Sequence, residues 1–340
     1  MRKVSIVTLI GANNIGAFLQ AFALCKTTEK LGYEVEFLTI PGKKANQSKK
    51  DKILRYLKHK NYRLLWYKIK TGKKYTEARG VLPIQPFEQN KRYESVIVGS
   101  DEMWNVISKS FQQHPHYFGK GVQADRIISY APSAGNTTSE DFRKSGMDFS
   151  DFDSLSVRDQ RTYSLVSEFD SREVVRVLDP TFLLDDYDSF IPNVKFKSDF
   201  ILVYSYGMTE KEIGMAKEFS KKARLPLYSV GTYNPWCKRN MDVTPFEFLA
   251  YLKQAKYVIT STFHGTALSI IFNKQFVSCL EHSEKLLSLL QDFQLEERIV
   301  TEERTITKLL ESQINYETVN QYIGKQREHS LKYLKEALEL

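Results

Sequence analysis

The chain has 340 residues, of which 42% are apolar and 26% are charged, a composition typical of globular proteins and a length that predicts two domains. Its cysteines, Cys25, Cys237 and Cys279, are widely separated, which excludes a disulfide framework and a zinc site built on paired cysteines. No apolar run reaches the roughly 18 residues of a membrane-spanning helix, so we expect a soluble protein of the cytoplasm.

The net charge of +8 is concentrated in one segment. Residues 43–79, the basic insert, contain 14 lysines and arginines against Asp51 and Glu77, so the insert carries +12 and the rest of the chain −4. Leucines recur there at helical spacing beside Trp66. Such a helix can contact an anionic membrane, here the inner face, or it can pack on its own domain with its lysines in water. The acidic remainder argues against nucleic acid as a partner.

Strands and helices alternate through the first half of the chain. Apolar runs predict buried strands, and apolar residues at helical spacing predict the helices between them. The predicted strands are 4–9, 35–40, 95–98, 127–130, 155–157 and 174–178, and the predicted helices include 17–31, 140–146 and 160–169.

The same alternation restarts after a polar stretch at 185–199. It ends in an amphipathic helix at 317–340. We therefore predict an α/β fold with two Rossmann-like, doubly wound domains facing each other across a cleft. The domains are 1–190, which includes the basic insert, and 191–315, and the helix at 316–340 packs back across both. The predicted elements of the second half are strands at 200–204, 227–230, 257–260 and 275–279, and helices at 210–223, from 245, at 266–272 and at 283–293.

Small and polar residues follow several of these strands, at the edge where doubly wound domains bind ligands. Asn14 and Gly16 lie in a turn where backbone can approach a ligand and a following helix offers free N–H groups. After a later strand, Asp101 is a candidate base for a substrate hydroxyl, with Ser100 beside it, although either residue could instead cap a helix. Ser133 lies in a further turn of small residues.

Two cationic candidates follow strands of different halves. Arg158 can bind carboxylate or phosphate with its planar guanidinium, or it can form an ion pair with Asp159 or Asp179. His264 lies in a strand-to-helix turn, where a helix N-terminus attracts anions and an imidazole can exchange a proton near neutral pH. Further candidate ligand contacts surround this histidine: Thr262, Gly265 and Thr266.

Six motifs follow one another along nearly all of the chain. They are the glycine–asparagine turn with LQAFAL at 19–24, GSDEMWN at 99–105, YAPSAG at 130–135, LSVRD at 155–159, LDPTFLL at 178–184 and TSTFHGTALSIIF at 260–272. Together and in this order, these motifs resemble the polysaccharide pyruvyl transferase family. The resemblance implies a GT-B-like two-domain fold and phosphoenolpyruvate as the donor substrate. It also implies a sugar acceptor in an exopolysaccharide or capsule, or in its lipid-linked precursor.

The resemblance also implies roles for individual residues. Arg158 and His264 match positions with which the family holds phosphoenolpyruvate, and Lys285 falls at a third basic position where relatives carry arginine. We therefore expect the donor at the 191–315 domain and the acceptor at the 1–190 domain. In this hypothesis His264 binds phosphate and transfers a proton, and Asp101 is the base. No metal or separate cofactor is expected, because a proton and fixed cations suffice for the chemistry.

Two alternatives from other classes remain open. A GT-B glycosyltransferase that uses a nucleotide sugar would need a carboxylate to recognise ribose, and Glu281 and Glu284 are the candidates. A non-catalytic protein that binds a membrane surface or RNA would depend on residues 43–79 instead. Deleting 43–79 would abolish its function while His264→Ala would be silent, and an enzyme would show the reverse.

Overall fold

Two parallel sheets organise the computed structural model, which describes residues 2–40, 56–108, 114–279 and 284–339. The first sheet has the order β3-β2-β1-β4-β5, and its central strands are buried on both faces, which explains their continuous apolar sequence. A two-stranded parallel sheet, β6-β7, follows it. The strands of this N-terminal lobe are Lys3–Val7 (β1), Glu34–Thr39 (β2), Ile84–Pro86 (β3), Tyr93–Val98 (β4), Ala124–Ser129 (β5), Leu155–Val157 (β6) and Val174–Arg176 (β7). Its helices are Ile15–Lys30 (α1), Tyr62–Arg79 (α2), Ser139–Ser145 (α3) and Gln160–Phe169 (α4).

The second half of the chain repeats this topology. Its sheet has the order β10-β9-β8-β11-β12, again all parallel. Reciprocal capping boxes begin two of its helices, at Thr209 and at Thr244. The strands of this C-terminal lobe are Ile201–Tyr204 (β8), Leu227–Val230 (β9), Arg239–Met241 (β10), Tyr257–Thr260 (β11) and Gln275–Ser278 (β12). Its helices are Glu210–Ala223 (α5), Pro245–Gln254 (α6), Phe263–Ile271 (α7), Glu284–Asp292 (α8) and Ile306–Glu311 (α9).

The last helix, Tyr316–Glu339 (α10), contacts both lobes. At its beginning, the Tyr316 hydroxyl donates to the carbonyl of Lys274 in the C-terminal lobe. Further along, Ser330 Oγ accepts from the Leu178 N–H at 2.9 Å, and the Tyr333 hydroxyl donates to the Ser129 carbonyl at 3.0 Å. The helix therefore ties the carboxyl end of β5 to the opposite lobe.

Helix α1 joins the lobes by close packing. Phe18 and Phe22 stand edge-on to Phe246 of α6, with ring centroids 5.5 and 5.0 Å apart. Ile15 fits against Gly231, where a Cβ would lie 2.1 Å from the Ile15 Cδ1 atom. One cluster of buried apolar residues accordingly includes side chains of both lobes. This packing sets the carboxyl edges of the two sheets against each other.

Helix α2, in the basic insert, packs on both lobes with one side. Tyr67 and Tyr75 are buried. Lys74 Nζ lies 2.6 Å from Glu247 Oε2 of α6, and Arg79 donates to Asn13 Oδ1 at 3.1 Å. The buried side of α2 therefore behaves as in the alternative in which the helix packs on its own protein. Residues 41–55 of the insert lie outside the described part of the chain.

The predicted α/β class with two doubly wound parallel sheets is confirmed. Strands β3 and β10 were missed, because both are three-residue strands at sheet edges with no apolar run. The division at 190/191 stays a prediction. Across the described ranges, no helix combines the length and the apolar character needed to cross a bilayer.

Candidate active site

The carboxylate of Asp179 lies where the two lobes meet. Its Oδ1 atom accepts from the backbone and hydroxyl of Thr181, at 3.0 and 2.7 Å. Its Oδ2 atom accepts from Arg158 Nη1 at 2.8 Å and lies 3.5 Å from His264 Nε2. Ser100 Oγ donates to the same oxygen at 3.5 Å. One buried carboxylate therefore forms an ion pair with Arg158 and also faces His264, and these two residues come from opposite lobes.

This arrangement keeps Asp179 ionised. Burial alone would raise the pKa of the Asp179 carboxyl, but His264, Arg158 and the Thr181 hydroxyl favour the charged form and hold the pKa well below its usual range. The same contacts act on the other partner: burial lowers the pKa of Arg158, whereas Asp179 and Asp101 raise it above its ordinary value overall. Asp179 and Arg158 therefore form an ion pair in the fold.

Arg158 keeps unused hydrogen-bonding capacity in spite of this ion pair. Its side chain is only 3% exposed, and its Nε and Nη2 atoms have no hydrogen-bond partner among the described residues. The guanidinium carbon lies 4.2 Å from the centroid of the Phe263 ring, and Nη2 lies 3.9 Å from Asp101 Oδ1. Buried donors without a partner are costly, so this edge of the guanidinium is suited to an anionic ligand.

The start of α7 differs from the prediction. Thr262 caps the helix, accepting from the Gly265 N–H at 2.9 Å, so α7 begins at Phe263 rather than at 266. His264 therefore lies in the first helical turn instead of the preceding turn. It is buried, and a Cβ on Gly16 would lie 2.1 Å from its Nδ1 atom. Only a glycine at position 16 lets α1 pack this closely against the imidazole.

Asn14 and Gly16 also belong to a helix start rather than to an open turn. Helix α1 begins at Ile15, and Asn14 Oδ1 accepts from the Ala17 N–H at 3.0 Å. The predicted turn is therefore shorter than expected, because the asparagine side chain caps the helix.

A cavity of about 420 Å³ lies between the lobes beside Arg158. Asp179, Phe263 and Lys285 also line it, so it takes residues from both lobes. Helix α10 contributes Lys325. Four lysine or arginine side chains and three aspartates line this cavity, and two of those aspartates are already paired with arginines. These lining side chains carry a net charge of +1, so the unpartnered edge of Arg158, rather than a general excess of positive charge, is what suits the cavity to a small anion.

Lys285 links the lobes through an ion pair with Glu102. Glu102 Oε2 also accepts from Asn105 Nδ2 at 2.9 Å. Burial raises the pKa of Glu102, but Lys285 and Asn105 lower it, and the net pKa lies below the ordinary value. Gly135, with φ of +56°, leaves room for this group, because a Cβ there would lie 2.4 Å from Asn105 Nδ2. Lys285 is therefore held at the cavity by a carboxylate of the other lobe.

Asp101 lines a second cavity, of about 440 Å³, at the carboxyl ends of β1 and β2. Asn14 and Tyr117 line the same cavity. The Asp101 backbone has φ of +76°, and its N–H donates to Ser100 Oγ at 2.6 Å. Because Asp101 also lies 3.9 Å from Arg158, it stands between the two cavities. A carboxylate in that position can accept a proton from a group bound in the second cavity.

The other predicted contacts make bonds within the fold. Ser133 Oγ accepts from the Gly135 N–H at 3.1 Å, and Thr266 Oγ1 lies 2.8 Å from Ser278 Oγ. A Cβ on Gly265 would lie 2.1 Å from Thr260 Oγ1, so this glycine serves close packing. The substrate-binding roles of Ser133, Thr262, Gly265 and Thr266 stay predictions. Glu281 and the side chain of Glu284 lie outside the described part of the chain.

Several residues of this site were not predicted from the sequence. Asp179 was expected only as one possible ion-pair partner of Arg158, and no role was predicted for Phe263 or Glu102. Asp179, Phe263 and Glu102 lie inside the motifs LDPTFLL, TSTFHGTALSIIF and GSDEMWN, respectively. Their place in these motifs was the sequence signal that could have identified them. Among the described residues, no cluster of three or more His, Cys, Asp or Glu side chains forms a potential metal site.

A comparison with protein families gives one match: the model of the family described as polysaccharide pyruvyl transferase matches residues 14–284, most of the chain. A comparison with curated proteins gives no match. Both results rest on sequence alone.

Several solved structures are similar in fold. The Staphylococcus aureus MnaA–UDP co-structure is 12% identical with a TM-score of 0.50, and the match covers 92% of this chain and 87% of that one. UDP-GlcNAc 2-epimerase from Neisseria meningitidis, bound to UDP-GlcNAc, is 10% identical with a TM-score of 0.47 and 99% coverage of both chains. Acinetobacter baumannii MurG is 12% identical with a TM-score of 0.39, covering 100% and 99%. The predicted GT-B-like α/β fold class is confirmed at the level of the fold alone.

Proposed function

Because the chain belongs to the polysaccharide pyruvyl transferase family, we propose that it transfers pyruvate from phosphoenolpyruvate to a sugar of a cell-surface polysaccharide or of its lipid-linked precursor. The protein is a transferase of polysaccharide biosynthesis, and the donor and the acceptor are the proposed parts. The observation that carries the donor assignment is the unpartnered guanidinium edge of Arg158, which Asp179 holds at a cavity between the lobes.

Phosphoenolpyruvate suits this cavity by charge and size. The molecule carries a carboxylate and a phosphate, and Arg158 and Lys285 both line the cavity. Each charge-assisted contact contributes about 1.5–3 kcal/mol. Lys285 has Glu102 as its present partner, so the donor competes with that carboxylate for the ammonium group. His264 does not line this cavity: its Nε2 atom lies 3.5 Å from Asp179 Oδ2 and has no hydrogen-bond partner among the described residues, so in this proposal the imidazole moves towards the donor when the donor binds.

The reaction forms a cyclic ketal and releases phosphate. A proton is added to the methylene carbon of the enol, which leaves an oxocarbenium-like centre at the neighbouring carbon. One sugar hydroxyl adds to that carbon and gives up its proton, and the C–O bond to phosphate breaks. A second hydroxyl of the same sugar then closes the ring, and the departing phosphate takes its proton. His264 delivers the first proton, and Asp101 accepts a proton from the acceptor. A positioned acid or base accelerates such steps by ~10²–10⁴-fold.

The acceptor lies in the cavity that Asp101 lines, in the N-terminal lobe. This position puts a sugar hydroxyl between the base and the donor, since Asp101 also faces Arg158 at 3.9 Å. We further propose that the acceptor is lipid-linked and that the protein is cytoplasmic. Residues 43–79 would then contact an anionic membrane peripherally.

Mass spectrometry of the product tests this function. Lipid-linked glycans are incubated with the full chain and phosphoenolpyruvate, and a ketal adds the mass of pyruvate less water. We expect the addition with the wild-type chain and its loss in Arg158→Gln. Lys195→Gln, in an exposed position before β8, is the control and retains the product. Transfer of a sugar from a nucleotide sugar, without transfer from phosphoenolpyruvate, would overturn the proposal.

A further inference from the structure

Helix α2 has two faces of opposite character. Its inner face, Tyr67, Thr71, Tyr75 and Ala78, is buried against the protein. Its outer face carries aromatic and aliphatic side chains at a spacing of four and three residues, as expected for one side of a helix. These side chains, the outer face of α2, are Tyr62, Trp66 and Ile69, which are 57%, 61% and 46% exposed.

Exposed apolar residues are concentrated at this helix. Eight large apolar side chains are exposed in the described part of the chain, and half of them lie between residues 57 and 69. Leu57, 41% exposed, precedes α2 in the chain. Isolated exposed apolar residues are ordinary, but a group of them on one surface usually marks an interaction site.

Basic residues surround this apolar group. Several exposed lysines and arginines in 56–79 have no acidic partner among the residues that the structure describes, and Glu77 is the sole acid of that stretch. Lys70 Nζ lies 3.5 Å from the centroid of the Trp66 ring, so a cation accompanies the aromatic group itself. The exposed basic residues without an acidic partner in the described ranges are Lys58, Lys60, Arg63, Lys68 and Lys73.

We propose that the outer face of α2 docks the protein on an anionic lipid surface. Tryptophan and tyrosine favour the interface between water and lipid, aliphatic side chains enter the acyl boundary, and lysines and arginines bind anionic headgroups. An RNA backbone would use the basic residues but would gain little from Ile69 and Leu57. Docking does not depend on which donor the active site uses, so it can fail or succeed independently of the proposed transfer of pyruvate.

Docking also orients the active site, a point that rests on the proposed function. Arg79, at the end of α2, donates to Asn13 Oδ1 at 3.1 Å and to the Ala12 carbonyl at 3.4 Å. Ala12 lines the Asp101 cavity. A membrane bound by α2 therefore lies near this cavity, which is where a saccharide with a lipid anchor would be presented.

Vesicle binding by the full chain tests the charge component. The probes are vesicles of phosphatidylcholine with phosphatidylglycerol, vesicles of phosphatidylcholine alone, and a single-stranded RNA. We expect salt-sensitive sedimentation with the anionic vesicles alone. The double variant Lys68→Gln/Lys73→Gln should bind about twenty-five-fold more weakly, at about fivefold for each lysine. Lys195→Gln/Lys197→Gln, which neutralises exposed lysines elsewhere, should match the wild type.

The fluorescence of Trp66 tests the apolar component. Trp66 is the exposed tryptophan, because Trp104 is buried and Trp236 is partly buried. Anionic vesicles should shift the emission of the wild type to shorter wavelength, and Trp66→Phe should abolish the shift but keep binding. Trp66→Ser/Ile69→Ser should lower affinity about tenfold or more. Ile107→Ser, at an equally exposed aliphatic site, is the control and should leave binding unchanged.

Three results would overturn this proposal. The first is the absence of binding to anionic vesicles by folded wild-type chain. The second is binding that the α2 variants and their controls weaken equally. The third is a chain with no affinity for vesicles that instead binds RNA, or that self-associates through a contact abolished by Trp66→Ser/Ile69→Ser. Thermal unfolding of each variant verifies that the compared chains are folded.

Discussion

The imidazole of His264 and the carboxylate of Asp179 meet across the interface of the two lobes, with Nε2 3.5 Å from Oδ2. The same oxygen accepts from Arg158 Nη1 at 2.8 Å. Asp179 therefore contacts both Arg158 and His264, the two residues proposed to bind the donor. Its removal should affect the fold and the site together.

Replacing Asp179 should destabilise the protein strongly. Asp179→Asn leaves the guanidinium of Arg158 buried without its counter-ion, and breaking a buried pair in this way costs about 3–5 kcal/mol. Asp185→Asn is the matched control, because Asp185 forms a surface pair with Lys30 worth at most about 1 kcal/mol. Urea unfolding at neutral pH measures both. Equal losses would contradict the structural role assigned to Asp179.

The depressed pKa of Asp179 also predicts a pH dependence. Its carboxyl has a pKa well below the unfolded value of about 3.9, so it contributes stability above that pH and loses it as the pH falls towards the folded pKa. The free energy of unfolding of the wild type should therefore fall more steeply below about pH 4 than that of Asp179→Asn. Urea titrations at a series of acidic pH values measure the two slopes, and identical slopes would exclude this contribution.

Adding one methyl group to Gly16 should disturb the imidazole of His264. In Gly16→Ala the new Cβ would lie 2.1 Å from His264 Nδ1, so the helix or the ring must move. Overpacking of this kind costs about 1–3 kcal/mol, and we expect weaker donor binding as well. Gly214→Ala is the control: it lies on α5 with open space around it, and should stabilise by about 0.5–1 kcal/mol. Calorimetric melting compares them, and a neutral Gly16→Ala would contradict the close packing.

The sequence was sufficient for the α/β class with two parallel sheets, and it singled out Arg158, His264 and Asp101, whose roles stay predictions. Arg158, His264 and Asp101 follow apolar strands, and parallel strands bring their carboxyl ends to one edge, so local patterns reveal them. The helix start at Phe263 was missed because Thr262, a good cap, was assigned to the preceding turn. Cap positions depend on backbone geometry that residue type alone does not fix.

An ion pair between Arg158 and Asp179 was one of the alternatives, but the approach of His264 to the same carboxylate could not be predicted. It depends on how α1 and α7 pack between the lobes, and that contact involves residues far apart in the sequence, such as Gly16 and His264. Burial within the basic insert could not be predicted either. Its charge is visible in the sequence, but only the fold separates buried Tyr67 from exposed Trp66.

Removing the Asp101 carboxylate should slow the reaction without weakening donor binding. Asp101→Asn keeps the shape of the side chain but cannot accept a proton, so kcat should fall about 10²–10⁴-fold while the Kd for phosphoenolpyruvate stays near that of the wild type. Single-turnover kinetics and donor titration separate the two quantities. A variant with unchanged kcat would exclude Asp101 as the base, and lost donor affinity would place it in the donor site instead.

Titration calorimetry of the full chain with phosphoenolpyruvate, and separately with UDP-sugars, is the decisive test of the proposed donor. We expect phosphoenolpyruvate to bind, about tenfold to a hundredfold more weakly in Arg158→Gln, and no comparable binding of the nucleotide sugars. Binding of UDP-sugars without phosphoenolpyruvate, or equal affinity in the Arg158→Gln variant, would contradict this expectation.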